Sequence, residues 1–306
     1  MERPYTAAMA SSRTESGKCL SPRTLRLVTY NLQRGIHYPL LRKHFTLLDP
    51  FRSADVVAVQ EALTPAGGVN TLARLVEDLQ GDYSWTYRTV MSYPEKEYGN
   101  GFLFRSSMTP VAAQSIRLPQ VGRLGWAAKL KTEGGEPDSK LAFVQLFSWA
   151  GRLVRIINLH LDFAGGVAHR IRQLAHLFGA LEQLGDLSAG TVDVLIGDFN
   201  TSGHHRSKQA WERTQQVLNV AKRKGFTDCS AGVPWTSDLF FSIDPADPAQ
   251  RMLRLGRVLG LRYRQKLDHL LVRGASTVAS AVAVTPIEGA HLPGSDHLPL
   301  SIELIL

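Results

Sequence analysis

Side chains that can bind a metal ion or move a proton recur at the ends of short apolar segments in this chain. They are Asn31, Glu61, His160, Asp198, Asn200, Asp268, Asp296 and His297. Short apolar segments rich in β-branched residues predict strands, and strands that end in polar groups deliver them to one rim of a sheet. Carboxylate and amide oxygens without cysteine suit a hard cation, so the sequence predicts a site for Mg²⁺, or alternatively Mn²⁺.

Segment 192–200 carries the densest group of these residues. Asp198 and Asn200 alternate along an extended backbone, which places both side chains on the same side. One could hold a water molecule or a metal ion, and the other could donate to a phosphate oxygen. The same residues would also suit an Asx turn or a helix N-cap after a strand. Glu61, at the end of an apolar segment, has a similar alternative as a solvated strand end.

An Asp–His pair near the C-terminus adds a titratable imidazole. Asp296 and His297 precede an apolar segment, and imidazole is the usual proton-transfer or charge-stabilising group near neutral pH. Asp268 could orient the ring of His297 as a second carboxylate. His160 supplies another imidazole, although a single histidine at a strand end is more often a structural residue.

The composition is that of an ordinary globular protein, with 306 residues of which 44% are hydrophobic and 20% charged. Cys19 and Cys229 form neither a metal-binding nor a disulfide pattern. This indicates a reducing compartment, and we expect a cytoplasmic location. The sequence contains no apolar run of about 18 residues, so no transmembrane segment is expected. The first residues also lack the apolar core of a secretory signal.

The chain is basic, with 35 lysines and arginines against 27 acids, a net charge of +8 and a pI of about 9.6. A basic surface attracts nucleic acid or anionic lipid headgroups, and it also serves solubility alone. Segment 240–266 interleaves arginines with aliphatic residues at helical spacing. It predicts an amphipathic element that contacts nucleic acid or, peripherally, an anionic membrane; the alternative is a surface helix with solvated arginines. The arginines are Arg251, Arg254, Arg257, Arg262 and Arg264.

The site-bearing segments extend from Asn31 to His297, which argues for a single domain over residues 23–306. Residues 1–22 are rich in Ser, Thr, Arg and Ala without periodicity and are expected to be disordered. Apolar residues at helical spacing predict helices over 167–184 and 72–79. Residues 133–139 are expected to form a long hairpin loop between two strands. We expect a monomer.

Seven short stretches follow one another in a fixed order: residues 29–31, 59–61, 98–101, 158–161, 197–200, 267–270 and 295–297. As an ordered set they resemble the motifs of the endonuclease/exonuclease/phosphatase superfamily, most closely its deoxyribonuclease and sphingomyelinase branch. The resemblance implies an α/β fold, a four-layer sandwich of two packed, mainly antiparallel β-sheets flanked by helices. The site is then expected at one rim, between the sheets.

The resemblance also implies roles. Glu61 corresponds to the main metal carboxylate, with Asn31 and Asp296 completing the metal site. Asp198 corresponds to the residue that orients or deprotonates the attacking water. The other implied catalytic residues are Asn200 as phosphate-oxygen donor, His297 as the imidazole at phosphorus, Asp268 as its orienting carboxylate, and His160 as a second phosphate-binding imidazole. Asn100, in the third stretch, and Arg170, in an Arg-x-x-Gln pair after His160, are the implied substrate-binding residues.

The implied function is a metal-dependent phosphoesterase that hydrolyses a phosphodiester or phosphomonoester by attack of water. The basic charge favours nucleic acid as substrate. Exonuclease-III-like members generally lack a histidine matching His160, which argues against an abasic-site endonuclease. They often carry an acid where this chain has Gln33, which argues against a second metal there. A phospholipid, inositol phosphate or sugar phosphate hydrolase remains an alternative, as does a catalytically silent phosphate-binding scaffold.

Overall fold

Two β-sheets face each other in the computed structural model, which describes residues 23–79, 82–125, 129, 136–185, 191–243, 248–275, 277–278, 282–283 and 294–306. Within these residues the first sheet contains β1 (Thr24–Asn31), β2 (Val56–Pro65), β3 (Tyr83–Tyr93), β4 (Lys96–Arg105), β13 (Thr277–Val278), β14 (Val282–Ala283) and β15 (Leu300–Ile305). Its order is β13-β15-β1-β2-β4-β3, and β14 also pairs with β15.

The second sheet contains β5 (Thr109–Leu118), β6 (Lys140–Trp149), β7 (Arg152–His160), β8 (Val192–Asp198), β9 (Thr227–Asp228) and β12 (Asp268–Arg273). Its order is β5-β6-β7-β8-β12-β9. A separate small ladder joins β10 (Ser237–Asp238) to β11 (Arg264–Gln265). Each large sheet has one parallel pair among the described strands, β1 with β2 and β7 with β8.

The outer faces of the two sheets are covered by α1 (Tyr38–Leu47), α2 (Asp49–Arg52), α3 (Thr71–Leu79), α4 (Gly166–Gln183) and α5 (Lys208–Lys222). A further helix, α6 (Pro248–Val258), follows β10 in the chain. One apolar core lies between the sheets and includes Phe102 and Phe143. A second core packs α1 to α3 on the first sheet, and a third packs α4 and α5 on the second. The four-layer sandwich expected from the sequence is therefore confirmed.

Both helices predicted from apolar spacing are present, as α3 and α4. The predicted loop at 133–139 joins the paired strands β5 and β6, and its first residues lie outside the described part of the chain. Residues 1–22, with Cys19, also lie outside it, and Cys229 is a buried free cysteine. The assignment of residues 23–306 to one domain stays a prediction. No helix among the described residues has the length and apolar character needed to cross a membrane.

Strand pairing brings the polar strand ends to one rim. Because β1 and β2 run parallel, Asn31 and Glu61 emerge at the same edge of the first sheet. In the parallel pair β7 and β8, His160 lies directly opposite Asp198. β12 runs antiparallel to β8 and places Asp268 opposite Asp198 from the other side. Residues far apart in the chain thus become neighbours through strand register alone.

Two buried amides connect the sheets beneath this rim. Gln60 on β2 donates from Nε2 to Oδ1 of Asn158 on β7 at 2.7 Å. Asn158 in turn donates from Nδ2 to the carbonyl oxygens of Val59 and Gly101, each at 2.9 Å. Both side chains are fully buried. Since buried amides are costly unless satisfied, this bridge fixes how the two sheets align next to the site.

Candidate active site

One carboxylate oxygen lies at the centre of the polar rim. Oδ2 of Asp198 accepts a hydrogen bond from Nδ2 of Asn31 at 3.1 Å. Nε2 of His160 lies 3.6 Å from the same oxygen, and Nε2 of His297 lies 3.7 Å from it. These four side chains come from β1, β7, β8 and the loop before β15. The structure therefore brings together both imidazoles predicted from the sequence on a single carboxylate.

Glu61 reaches this group from an unusual backbone conformation. Its φ is +55°, in the left-handed region that non-glycine residues rarely adopt. The register between β2 and β4 shifts between Val59 and Ala62, so Glu61 lies in a β-bulge. A bulge re-aims a side chain, and here Oε1 of Glu61 accepts from Nδ2 of Asn31 at 3.3 Å. Backbone strain of this kind is common at functional sites.

His297 is held by a second carboxylate. Its Nδ1 lies 2.8 Å from Oδ2 of Asp268, which leaves Nε2 directed toward Asp198. Burial acts to lower the pKa of His297, but the charges of Asp268, Asp198 and Asp296 outweigh it and hold that pKa well above its usual value. The carboxylates around His297 therefore favour its protonated form, and Asp268 fixes the orientation of the ring.

His160 has the opposite electrostatic setting. Burial lowers the pKa of His160 well below its usual value, and the positive charges of Lys140 and His297 lower it further. Nζ of Lys140 lies 3.4 Å from Nε2 of this ring, and Oε1 of Glu61 lies 3.9 Å from it. The pKa values of the two imidazoles of the site are thus shifted in opposite directions.

The central carboxylate, that of Asp198, has a pKa close to neutral pH. Burial raises the pKa of Asp198 to about 7; the charge of His297 opposes this rise, and that of Asp268 adds to it. The backbone N–H of Asn200 donates to its Oδ1 at 2.8 Å. A carboxylate with a pKa near neutrality is well matched to accept a proton from water.

The loop that carries Asp296 and His297 is tied to the end of β1. The hydroxyl of Ser295 donates to the carbonyl oxygen of Asn31 at 2.7 Å. The backbone N–H of Asp296 donates to Oε1 of Gln33 at 3.1 Å. These contacts bring the Asp296 carboxylate to the Asn31 and Glu61 side of the site.

The side chains on this side of the site are of the kind that bind a hard divalent cation. Burial raises the pKa of Asp296, and the negative charge of Glu61 raises it further while His297 opposes the rise. Two neighbouring carboxylates that repel each other are favourable when a cation lies between them. Asn31 adds an amide oxygen, although its Oδ1 already accepts from the backbone N–H of Gln33 at 2.9 Å. Asn31, Glu61 and Asp296 offer oxygen donors of the kind that such a cation binds, and their role as its ligands stays a prediction.

A second set of side chains also has the spacing of a metal site. Asp198, Asp268 and His297 are buried, and each offers a ligand atom within 4.8 Å of the others. Both nitrogens of His297 nevertheless face carboxylates, and the pair with Asp268 has the length of a charged hydrogen bond. Polar contacts therefore join these three residues to one another, and their catalytic role stays a prediction.

The remaining predicted residues contact backbone atoms around the site. Asn200 (φ +51°) donates from Nδ2 to the carbonyl oxygen of Leu161 at 2.8 Å. Asn100 is buried and donates to the carbonyl oxygen of Leu141 at 3.2 Å. Arg170 donates from Nη1 to the carbonyl oxygen of Asp162 at 3.0 Å. Substrate contact by Asn100 and Arg170 stays a prediction.

The sequence reasoning missed three residues of this site. Lys140 is only 6% exposed and contributes the cation next to His160. Its one signal was its position at the start of an apolar strand, where several other site residues also lie. Gln33 and Ser295 fix the loop of Asp296. Both lie in or beside the matched stretches 295–297 and 29–31, but the sequence does not show the contacts that they make.

Comparison with known proteins identifies the family of the chain. Residues 28–297 match the model of the Endonuclease/Exonuclease/phosphatase family. No curated protein matches the chain.

Several solved structures share the fold. An endonuclease/exonuclease/phosphatase family protein from Bacteroides thetaiotaomicron is 17% identical, with a TM-score of 0.62 over 94% of this chain and 99% of its own. Truncated TDP2 from Caenorhabditis elegans is 16% identical, with a TM-score of 0.61 over 92% and 98%. A mannosyl-6-phosphatase from Bacteroides thetaiotaomicron VPI-5482 is 17% identical, with a TM-score of 0.63 over 92% and 100%. Since the family match extends over most of the sequence, the chain belongs to the endonuclease/exonuclease/phosphatase family.

Proposed function

We propose that the chain is a divalent-cation-dependent phosphoesterase that hydrolyses a phosphate ester by attack of water. The observation that carries this proposal is the convergence of Asn31, His160 and His297 on Oδ2 of Asp198, at 3.1, 3.6 and 3.7 Å. A base, a fixed imidazolium and a neutral imidazole within one phosphate's reach are the groups that this reaction requires.

The chemistry follows from the charges of these groups. Asp198, with a pKa of about 7, accepts a proton from the attacking water. The water oxygen bonds to phosphorus and the ester P–O bond breaks. The leaving oxygen keeps the electron pair and takes up a proton from solvent water, and Asp198 later returns its proton to solvent. His297 and Lys140 provide positive charge for the phosphoryl oxygens as negative charge accumulates on them. A divalent cation held by Glu61, Asn31 and Asp296 would supply further positive charge to the same oxygens.

Nucleic acid is the substrate class that we favour. The net charge of +8 and a pI of about 9.6 support attraction to a polyanion. The mannosyl-6-phosphatase of similar fold supports a sugar phosphate as an alternative. The cytoplasmic location and the monomeric state stay predictions.

A substrate panel with chelator controls tests the reaction. It contains bis(p-nitrophenyl) phosphate, p-nitrophenyl phosphate, single- and double-stranded DNA, and RNA. We expect hydrolysis with Mg²⁺ or Mn²⁺, loss of hydrolysis in excess chelator, and recovery when the cation is returned. Full activity in chelator would refute the cation requirement. No hydrolysis of any substrate would favour a silent phosphate-binding scaffold.

An exposed apolar patch favours a phospholipid as the second candidate substrate. Leu255, Val258, Leu259 and Leu261, at the end of α6 and in the following turn, are each more than half exposed. Arg254, Arg257 and Arg262 flank them, and segment 248–264 contains no acid. Aliphatic residues ringed by arginines suit the surface of an anionic membrane better than bases, which stack on aromatic rings.

Co-sedimentation with phosphatidylglycerol vesicles separates the two candidate substrates. We expect the double variant L259N/L261N to lose vesicle binding if the substrate is a phospholipid. L47N/V69N is a matched control, because Leu47 and Val69 are exposed to a similar degree elsewhere on the surface. Salt-sensitive binding of DNA without binding of vesicles would favour nucleic acid.

A further inference from the structure

A cavity of about 370 Å³ opens between the start of α4 and the side of α5, next to the loop that follows Asn200. Its lining residues are Gly166, Val167, Arg170, Thr201, Ser202, Arg213, Thr214 and Val217. Thr201 and Ser202 directly follow Asn200 in the chain. No acid lines the cavity, and two arginines do. Its lining is therefore positively charged, and it adjoins the proposed active site.

The first turn of α4 offers unpaired N–H groups to this cavity. The helix begins after Gly165, whose φ is +74°, and no side chain caps its N-terminus. Among the described residues, the amides of Gly166 and Val167 have no acceptor, and the first turn contains no acid. A Cβ added to Gly166 would meet no atom within 4 Å, so the space in front of this turn is open. Free N–H groups and the helix dipole favour an anion at such a position.

A buried guanidinium provides an independent observation. Arg170 is only 4% exposed, and its Nε has no hydrogen-bond partner. Its Nη1 donates to the carbonyl oxygens of Asp162 and Phe163, so the side chain is fixed in place. Burial lowers the pKa of Arg170, and the negative charges of Asp162 and Asp198 oppose that shift. An unpaired buried N–H is costly, and an acceptor on a bound ligand would remove that cost.

We propose that this cavity is a phosphate-binding subsite, which takes a second phosphate group of the substrate while the scissile phosphate lies at Asp198. Arg170 and the first-turn amides bind the phosphate from the protein side, and Arg213 approaches it from α5. The identity of the ligand as part of the substrate rests on the proposed function. The preferred substrates are then those with at least two phosphates, as in a nucleic acid strand or a polyphosphorylated small molecule.

Binding of inorganic phosphate tests the subsite without any activity. The full-length protein is titrated with phosphate in excess chelator, and the backbone amide resonances of Gly166 and Val167 are followed by NMR. We expect saturable shifts and, in R213Q, at least about tenfold weaker binding, the range for a lost charge-assisted hydrogen bond. R223Q is the matched control, because Arg223 lies at the C-terminal end of the same helix and outside the cavity.

A second variant keeps the test independent of arginine loss. V167D adds a carboxylate to the first helical turn, where it is favourable for the helix but repels an anion. V167N has nearly the same shape without the charge. We expect V167D to abolish the phosphate-induced shifts and V167N to retain them. The proposal would be overturned if phosphate caused no shifts in the wild type. It would also be overturned if the shifts in R213Q and V167D equalled those in the wild type.

Kinetics then distinguishes the substrate role from simple anion binding. For R213Q, the loss of kcat/KM on the 5′-phosphorylated dinucleotide pTpT should exceed the loss on bis(p-nitrophenyl) phosphate by about tenfold, mainly through KM. The same comparison with an inositol bisphosphate identifies which source of the second phosphate is used. Equal losses on all substrates would refute the substrate role. Phosphate-induced shifts without hydrolysis of any substrate would refute the proposed function but would still support a phosphate-binding site in this cavity.

Discussion

Nδ1 of His297 lies 2.8 Å from Oδ2 of Asp268, and this contact sets both the orientation and the charge of the ring. Asp268 opens β12 directly opposite Asp198, so β12 and β8 present two carboxylates to one imidazole. The carboxylate of Asp268 therefore fixes the orientation of the ring of His297 and raises its pKa.

Replacement of Asp268 by Asn tests this unit at nearly constant shape. Loss of the carboxylate removes the charge that raises the pKa of the ring and the acceptor that fixes its orientation. We expect kcat to fall by about two to four orders of magnitude with little change in KM, as for a lost orienting carboxylate. D228N is a control, since Asp228 lies on the neighbouring strand β9 outside the site. Normal kcat in D268N would show that His297 needs no such partner.

The two imidazoles are predicted to act on one phosphate. His160 and His297 approach the same oxygen of Asp198, at 3.6 and 3.7 Å. Each single change to Ala should lower kcat/KM by at least about a hundredfold, and the double variant should lose far less than the product of both. Strictly multiplicative losses would mean that the rings serve separate steps.

Glu61 is predicted to be the residue on which the cation requirement depends most. E61Q keeps the shape of the side chain but removes its charge from the bulge in β2. We expect at least about a tenfold higher Mg²⁺ concentration for half-maximal activity, and Mn²⁺ binding weakened to the same degree by calorimetry. E303Q is the control, because Glu303 pairs with Arg26 on the surface. Unchanged Mn²⁺ binding in E61Q would indicate that the cation is bound by Asp198 and Asp268 instead.

The residues at strand ends were predictable from sequence because their signal is local. A polar residue after an apolar run marks the rim, and seven such motifs in order indicate the family and hence the four layers. The bulge at Glu61 was not predictable, since it depends on the register between β2 and β4. The same holds for Lys140, which reaches His160 only because β6 pairs with β7. Local pattern predicts which residues reach the rim, whereas tertiary register decides which of them meet.

The bridge between the sheets is a further feature that only tertiary structure reveals. Asn158 satisfies two carbonyl oxygens of the first sheet and accepts from Gln60. N158A leaves these buried groups unpaired, and we expect the free energy of unfolding to fall by about 2–4 kcal/mol. The cycle with Q60A should show a coupling of about 0.5–3 kcal/mol, because each residue is the other's partner. Additive losses would mean that the two amides are independent.

A buried histidine outside the site is predicted to make stability depend on pH. Burial lowers the pKa of His44 to about 4, and Nδ1 of His44 lies 3.1 Å from the hydroxyl of Tyr30. The unfolded chain, with a pKa near 6.5, binds the proton more readily, so His44 contributes full stability above that pH and loses it as the pH falls toward 4. Between pH 7 and 4.5 the free energy of unfolding of the wild type should fall by about 2–3 kcal/mol more than that of H44Q, which retains an acceptor for Tyr30 but does not titrate.

H176Q, at an exposed position on α4, should follow the wild type. Parallel curves for the wild type and H44Q in urea titrations would show that His44 titrates normally in the folded protein.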